Sequence, residues 1–175
     1  MDKPARLWSM FDSLSAETEV LDFLHVLVRL VKPERVLETG TWIGLSACAI
    51  GTAIAANGFG RLTTLEINGE AYECALENIQ RYGIERFVEA LLLSSMEYTP
   101  SEKFDLALFD SELTLRGEEF HCFKPWFNDE AIIIFHGTAP HHKVGDIVKT
   151  LVAAGVLIGL DLPAPRGIFI GKLVK

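Results

Sequence analysis

Short apolar runs recur along the chain, at Arg35–Leu37, Leu62–Leu65, Phe87–Leu93, Phe104–Phe109, Ala131–Phe135 and Gly167–Ile170. Each run is continuous; polar residues do not alternate through it. That is the pattern of strands covered on both faces, not of a sheet with one wet side. Helical patterns separate the runs, and strand–helix alternation of this kind gives a parallel sheet sandwiched between helices.

The first helical pattern runs from Glu17 to Val31, with Asp22, His25, Arg29 and Lys32 on one polar stripe. Ser15 is the expected N-cap, and Glu17 and Glu19 suit the positive end of the helix dipole. Leu45–Ala56 is rich in Ala, Gly and Ser, so it can lie close to the sheet, and Asn57-Gly58 is its stop. Glu70–Tyr82 places Tyr72, Leu76 and Ile79 on one face and ends at Gly83. Phe120, Phe123 and Phe127 form an i, i+3, i+7 stripe before the fifth strand.

The C-terminal end breaks the alternation. Val156–Leu160 and Gly167–Leu173 are joined by Leu162-Pro163-Ala164-Pro165-Arg166, a link too short for a parallel crossover. The expected fold is therefore α/β, a Rossmann-like, doubly wound, mostly parallel sheet with helices on both faces and an antiparallel strand near the C-terminal end. The 175 residues suit a single domain, with 1–33 as a helical cover and 34–175 as the binding core.

Charge narrows the partners. Sixteen Lys+Arg against 24 Asp+Glu leave a formal charge of −8. A net acidic chain is a poor neutraliser of nucleic-acid phosphates or of an anionic membrane surface. Cys48, Cys74 and Cys122 stand far apart, with no C-x-x-C pair, so structural zinc is not expected and a reducing compartment is. The stretch Met1–Arg6 leads into no apolar h-region. No run reaches spanning length. The expected location is the cytoplasm.

In open α/β sheets ligands sit at the carboxyl ends of the strands, where the strand order reverses. The first strand runs into Glu38-Thr39-Gly40-Thr41-Trp42-Ile43-Gly44-Leu45-Ser46, an E-x-G-x-x-x-G loop. The second ends at Glu66, whose two acceptor oxygens suit a ribose diol from the crevice. A dinucleotide needs room and positive potential for its pyrophosphate; here Glu38 stands in the way, no Lys or Arg lies between Glu38 and Ser46, and Trp42 crowds the turn. S-adenosyl-L-methionine has no phosphate. Glu38 can attract its ammonium, and Ser46 with helix N–H groups can hold its carboxylate.

The ordered set VLETGTWIGLSA, GRLTTLEIN and LLLSSMEY resembles class I S-adenosylmethionine-dependent methyltransferases. Within them it is most similar to the small O-methyltransferase branch of catechol-type and sugar and antibiotic enzymes. The resemblance runs from about Glu34 to the C-terminus. It implies that Glu38, Gly40, Thr41, Trp42, Gly44 and Ser46 line the methionine end of the cofactor. It implies Glu66 at the ribose, Ile67 on the adenine, and Ser95 and Met96 at the adenine edge. Asp110 would lie near the methyl group.

Two features depart from that family. Catechol-type enzymes bind a divalent metal through an Asp after the fourth strand and an Asp-Asn pair after the fifth. Asp110 survives, but the pair falls on His136-Gly137. One carboxylate is a poor offer to magnesium, so no metal is expected. The lysine that follows the first Asp is missing as well, with Glu112-Leu113 in its place.

Methyl transfer to a hydroxyl benefits from a base titrating near working pH, and His136 at the end of strand five is the candidate, with Asp110 beside the reacting atoms. A structural histidine tied across the strand ends is the competing reading. His141 and His142 read as exposed loop residues. Glu112 and Arg116 read either as acceptor contacts at the rim or as helix surface. Trp8, Met10 and Phe11 can cover the pocket, pack on the second subunit of a homodimer, or staple the first helix. The expected acceptor is a hydroxyl of a small or glycosylated molecule. Two alternatives stay open: a non-catalytic protein that keeps the S-adenosylmethionine fold, and a NAD-dependent oxidoreductase.

Overall fold

The computed structural model describes residues 8–175. The stretch Met1–Arg6, on which the expectation of no leader rests, lies outside the described residues. Seven strands form one sheet: β1 (Arg35–Thr39), β2 (Arg61–Glu66), β3 (Val88–Leu92), β4 (Phe104–Phe109), β5 (Phe127–His136), β6 (Leu157–Leu162) and β7 (Ile168–Leu173). Their order is β3-β2-β1-β4-β5-β7-β6, with β1 to β5 parallel and β7 antiparallel to both β5 and β6. The antiparallel C-terminal pair is the one expected from the short Pro-rich link.

Five helices cover the sheet: α1 (Thr18–Val31), α2 (Leu45–Asn57), α3 (Gly69–Arg81), α4 (Arg116–Phe123) and α5 (Lys143–Ala153). Buried residues of α1, α2 and α3 form one core with Val36, Leu62, Leu106 and Ile134. On the other face Phe120 and Phe123 of α4 join Phe109, Phe127, Phe135 and the buried side of α5. Phe109 stacks on Phe135 with centroids 5.0 Å apart, so the phenylalanine stripe becomes the centre of the second core.

Small residues set how closely α2 and α3 approach. A Cβ on Gly44 would meet Ala75 Cβ at 3.0 Å, so the buried face of α3 is Ala71, Ala75 and Ile79. Tyr72 and Leu76, expected on that face, lie at its margin, and Leu76 is exposed. Asn68 caps α3 by accepting from the Ala71 amide at 2.9 Å. At α1 the N-cap position is Glu17, not Ser15, and its side chain makes no cap. His25 leaves the expected polar stripe and pairs with the Ala49 carbonyl of α2 at 3.1 Å.

The sheet order reverses between β1 and β4. The carboxyl ends of β1, β2, β4 and β5 therefore open onto one crevice, which is where the chain's unusual polar residues gather.

Candidate active site

β1 ends in Thr39 and the backbone turns at once. Gly40 has φ +85°, and a Cβ there would lie 2.5 Å from the Asp110 carbonyl oxygen. Only glycine fits between these two strand ends. Two residues on, Trp42 holds φ 49°, a left-handed conformation that costs a side-chain-bearing residue energy. Its amide is held at 2.7 Å by Glu66 Oε2. Glu66 Oε1 accepts the amides of Ile67 and Asn68, both at 2.9 Å. Glu66 thus ties the loop after β1 to the loop after β2. With roughly four lone-pair sites on a carboxylate, three are taken and one remains for a ligand.

Glu38 lies behind this loop and is fully buried. Thr41 donates to Thr64 at 2.5 Å, and Thr64 donates to Glu38 Oε2 at 2.5 Å. Glu38 Oε1 has no hydrogen-bond partner, nor does Trp42 Nε1. Burial pushes the Glu38 pKa up to about 7, against the pull of the Ser46 and Thr64 hydroxyls. Unpaired buried polar groups of this kind are rare and ask for an explanation.

A cavity of about 580 Å³ opens over the strand ends. That is within the range of small-molecule sites. Of the expected cofactor residues, Gly40, Trp42, Glu66, Ile67, Ser95 and Asp110 line it. Glu38, Thr41, Gly44, Ser46 and Met96 do not line it. Gly44 serves the close contact with α3, and Ser46 is buried in the first turn of α2. Ile67 is 74% exposed, an apolar side chain held out at the rim.

The other half of the cavity is lined by Ser13, Leu14, Leu113, Arg116, Gly137 and His142, among others. Of the described N-terminal residues, Ser13 and Leu14 reach it, not Trp8, Met10 or Phe11, and Phe11 is 75% exposed. Arg166 holds this segment down by donating to the carbonyls of Ser13, Leu14 and Ser15.

His136 is 2% exposed and both ring nitrogens are engaged. Nδ1 lies 2.9 Å from Asp110 Oδ1, and Nε2 lies 2.9 Å from Glu17 Oε2. Burial disfavours the charged ring, but the Asp110 and Glu17 carboxylates outweigh it and raise the pKa to about 9. Burial likewise opposes ionisation of Glu17, and the His136 ring brings it down to about 2 all the same. At neutral pH His136 is an imidazolium donating from both nitrogens. The general-base role expected of His136 would need a free ring nitrogen, and here both face carboxylates. The competing reading, a histidine tied across the strand ends, matches its geometry.

Arg116 is buried rather than part of the helix surface. Its guanidinium lies 3.0 Å from Asp110 Oδ1 and donates to the carbonyls of Ser111 and His136. Burial raises the Asp110 carboxyl, but His136 and Arg116 hold it below the ordinary range. A divalent metal does not fit here. Asp110 already faces two cations, and a Cβ on Gly137, at φ +79°, would lie 2.7 Å from Arg116 Nη1. Among the described residues no three His, Cys, Asp or Glu side chains are placed to hold a metal ion.

Glu119 is not among the residues expected at the site. It is fully buried and accepts from Thr39 at 2.9 Å, Ser95 at 2.5 Å and Ser111 at 2.6 Å. One carboxylate thereby ties the loops after β1, β3 and β4. Its helix also carries Arg116 and Glu118, so no local signal sets Glu119 apart.

A family model described as O-methyltransferase matches residues 6–113. A caffeoyl-CoA O-methyltransferase-like protein of Arabidopsis thaliana is 32% identical over 95 residues, covering 51% of this chain and 40% of that one. Caffeoyl-CoA O-methyltransferase 2 of Populus trichocarpa is 32% identical over 82 residues, 47% of this chain and 31% of its own. The matched stretch thus spans less than half the length of either plant protein. Among solved structures, the S-adenosylhomocysteine-bound methyltransferase PaMTH1 of Podospora anserina superposes with a TM-score of 0.80 at 17% identity, over 92% of this chain and 80% of that one. The O-methyltransferase TomG of Streptomyces achromogenes, in complex with S-adenosylmethionine, gives 0.78 at 19% identity, over 93% and 82%. At these identities the structures speak for the fold.

Proposed function

The chain belongs to the O-methyltransferase family, and on that premise we propose that it methylates a hydroxyl of a small molecule using S-adenosyl-L-methionine, without a divalent metal. The observation that carries this reading is the cleft at the β1–β4 switch. Gly40, Trp42 and Glu66 line it, and the buried Glu38 oxygen behind the loop has no partner.

Bound there, S-adenosylmethionine supplies a methyl group on a sulfonium for in-line displacement by an acceptor oxygen. Glu66 offers its remaining acceptor site to the ribose hydroxyls. Ile67 gives the adenine an apolar face. The amino end of α2 has no side-chain cap, so its first amides are available to a carboxylate. Glu38 lies behind the wall and acts through its charge on the ammonium. The fixed cations Arg116 and His136 stand around Asp110 where a metal would need to be, which supports the metal-free reading. Orientation of the acceptor against the cofactor then supplies much of the rate.

The acceptor enters past Leu14 and Leu113. The names of the plant relatives make caffeoyl-CoA and simpler phenols the first to try, with glycosylated hydroxyls next. No helix among the described residues is long and apolar enough to cross a membrane. The three thiols are free, which agrees with a reducing compartment such as the cytoplasm. Methyl transfer from radiolabelled S-adenosylmethionine to such a panel, with EDTA present, tests the proposal. Labelled product is the expected result. Tight cofactor binding with no transfer to any acceptor would favour a binding protein over an enzyme.

A further inference from the structure

We propose that His142 is the general base that takes the acceptor's hydroxyl proton, a role that rests on the methyltransferase reading above. Among the described residues, seven ionisable side chains line the cavity, and six of them are unsuited to the role. Arg116 and Arg166 carry no basic lone pair. Glu66 is engaged by three backbone amides. Asp110 is paired with His136 and Arg116, and the Glu112 carboxylate accepts from the Thr114 hydroxyl and amide, which makes it a weaker base than a free carboxylate. His136 is fully occupied by two carboxylates. His142 alone faces the cavity with no carboxylate beside it and no side-chain hydrogen bond among the described residues.

Its neighbours keep it neutral. Partial burial disfavours its charged form, and the positive groups around it add to that: His141 beside it, Arg116 of α4, Arg166 of the β6–β7 link and His136 of β5. Its pKa is thereby held below the ordinary imidazole value. Lys143, next in the chain, carries the same sign. A neutral imidazole with a free ring nitrogen at neutral pH is what a base needs. The position is also well placed to be tuned without harm to the fold. His142 precedes α5, but its side chain makes no cap.

In the step, the acceptor O–H gives its proton to a His142 ring nitrogen. The oxygen lone pair forms the O–CH₃ bond while the S–CH₃ bond breaks, and the electron pair stays on sulfur as a neutral thioether. The His142 imidazolium then releases its proton to water.

The test follows the histidine rings of the full chain by ¹⁵N NMR, with His142→Gln to assign the signal, and measures turnover of the acceptor panel above. The expected result is a His142 ring that is neutral at pH 7 and titrates below about 6.5. Alongside it, kcat in His142→Gln should fall by roughly 10²–10⁴-fold with S-adenosylhomocysteine affinity unchanged. The acidic limb of the wild-type pH–rate profile should vanish in the variant. A His142 ring charged at pH 7 would overturn the inference, as would a variant that turns over at the wild-type rate. A wild-type protein that binds S-adenosylhomocysteine and methylates nothing would instead overturn the transferase reading, and this inference with it.

Discussion

Glu17 Oε2 and His136 Nε2 lie 2.9 Å apart, although 119 residues separate them in the chain. The contact joins the start of α1 to the end of β5 and buries both charges beneath the cavity. With Asp110 and Arg116 it completes an alternating row of two anions and two cations. Such a row locks the strand ends in one arrangement, and a partner removed from it leaves a buried charge unpaired.

This pair makes stability depend on pH in a definite sense. His136 is raised from 6.5 to about 9, so its contribution is complete below 6.5 and is lost as pH rises through 9. Glu17 is lowered from 4.5 to about 2, so its contribution is complete above 4.5 and is lost as pH falls through 2. The stability difference between wild type and Glu17→Gln should therefore be greatest between these limits, at about 1–3 kcal/mol, and shrink on either side. Urea midpoints across pH measure it. A difference independent of pH would refute the ionic reading of the pair.

Glu66→Ala should lose the cofactor and loosen its loop together. One remaining acceptor site on the carboxylate is worth about 1.5–3 kcal/mol to a ligand, or roughly 10- to 150-fold in affinity. The three amides it now satisfies would also go unpaired, so the melting temperature should fall as well. Calorimetry and thermal melts read the two effects separately. Wild-type affinity in a folded variant would remove Glu66 from the ribose.

Cofactor binding should release a proton. Glu38 sits near half-ionised at pH 7, its pKa raised to about 7 by burial. A bound ammonium nearby favours the charged form. The heat of S-adenosylhomocysteine binding at pH 7 should then vary with buffer ionisation enthalpy, with up to about half a proton released. No dependence on buffer would place the ammonium away from Glu38.

Restoring a carboxylate after β5 should not restore a metal site. Gly137→Asp would set a Cβ 2.7 Å from Arg116 Nη1 on a backbone at φ +79°. The variant should be destabilised by about 1–3 kcal/mol and gain no magnesium affinity. Tight magnesium binding by this variant would show that Arg116 yields the place easily.

The sheet was legible because its strands are continuous apolar runs, and the short link after β6 marked the antiparallel turn. β5 begins at Phe127, four residues before the expected Ala131, because Asn128, Asp129 and Glu130 look like loop; Glu130 is held there by Lys172 and Lys175. The turn at Gly40 and the strand-end carboxylate Glu66 were legible from local spacing. The other half of the cavity was not. Glu17, Arg116 and Glu119 matter through partners from other segments, such as Glu119 with Thr39 80 residues away, and no local pattern announces such pairs. For the same reason His136 read as a base, since nothing near it in sequence shows the two carboxylates that charge it.

The most direct test of the whole account is calorimetric titration of the purified chain with S-adenosylhomocysteine, with NAD as the control. The account predicts saturable one-to-one binding of S-adenosylhomocysteine, weakened at least tenfold by Glu66→Ala, and no heat from NAD. Binding of NAD, or no binding of S-adenosylhomocysteine to the folded protein, would contradict it.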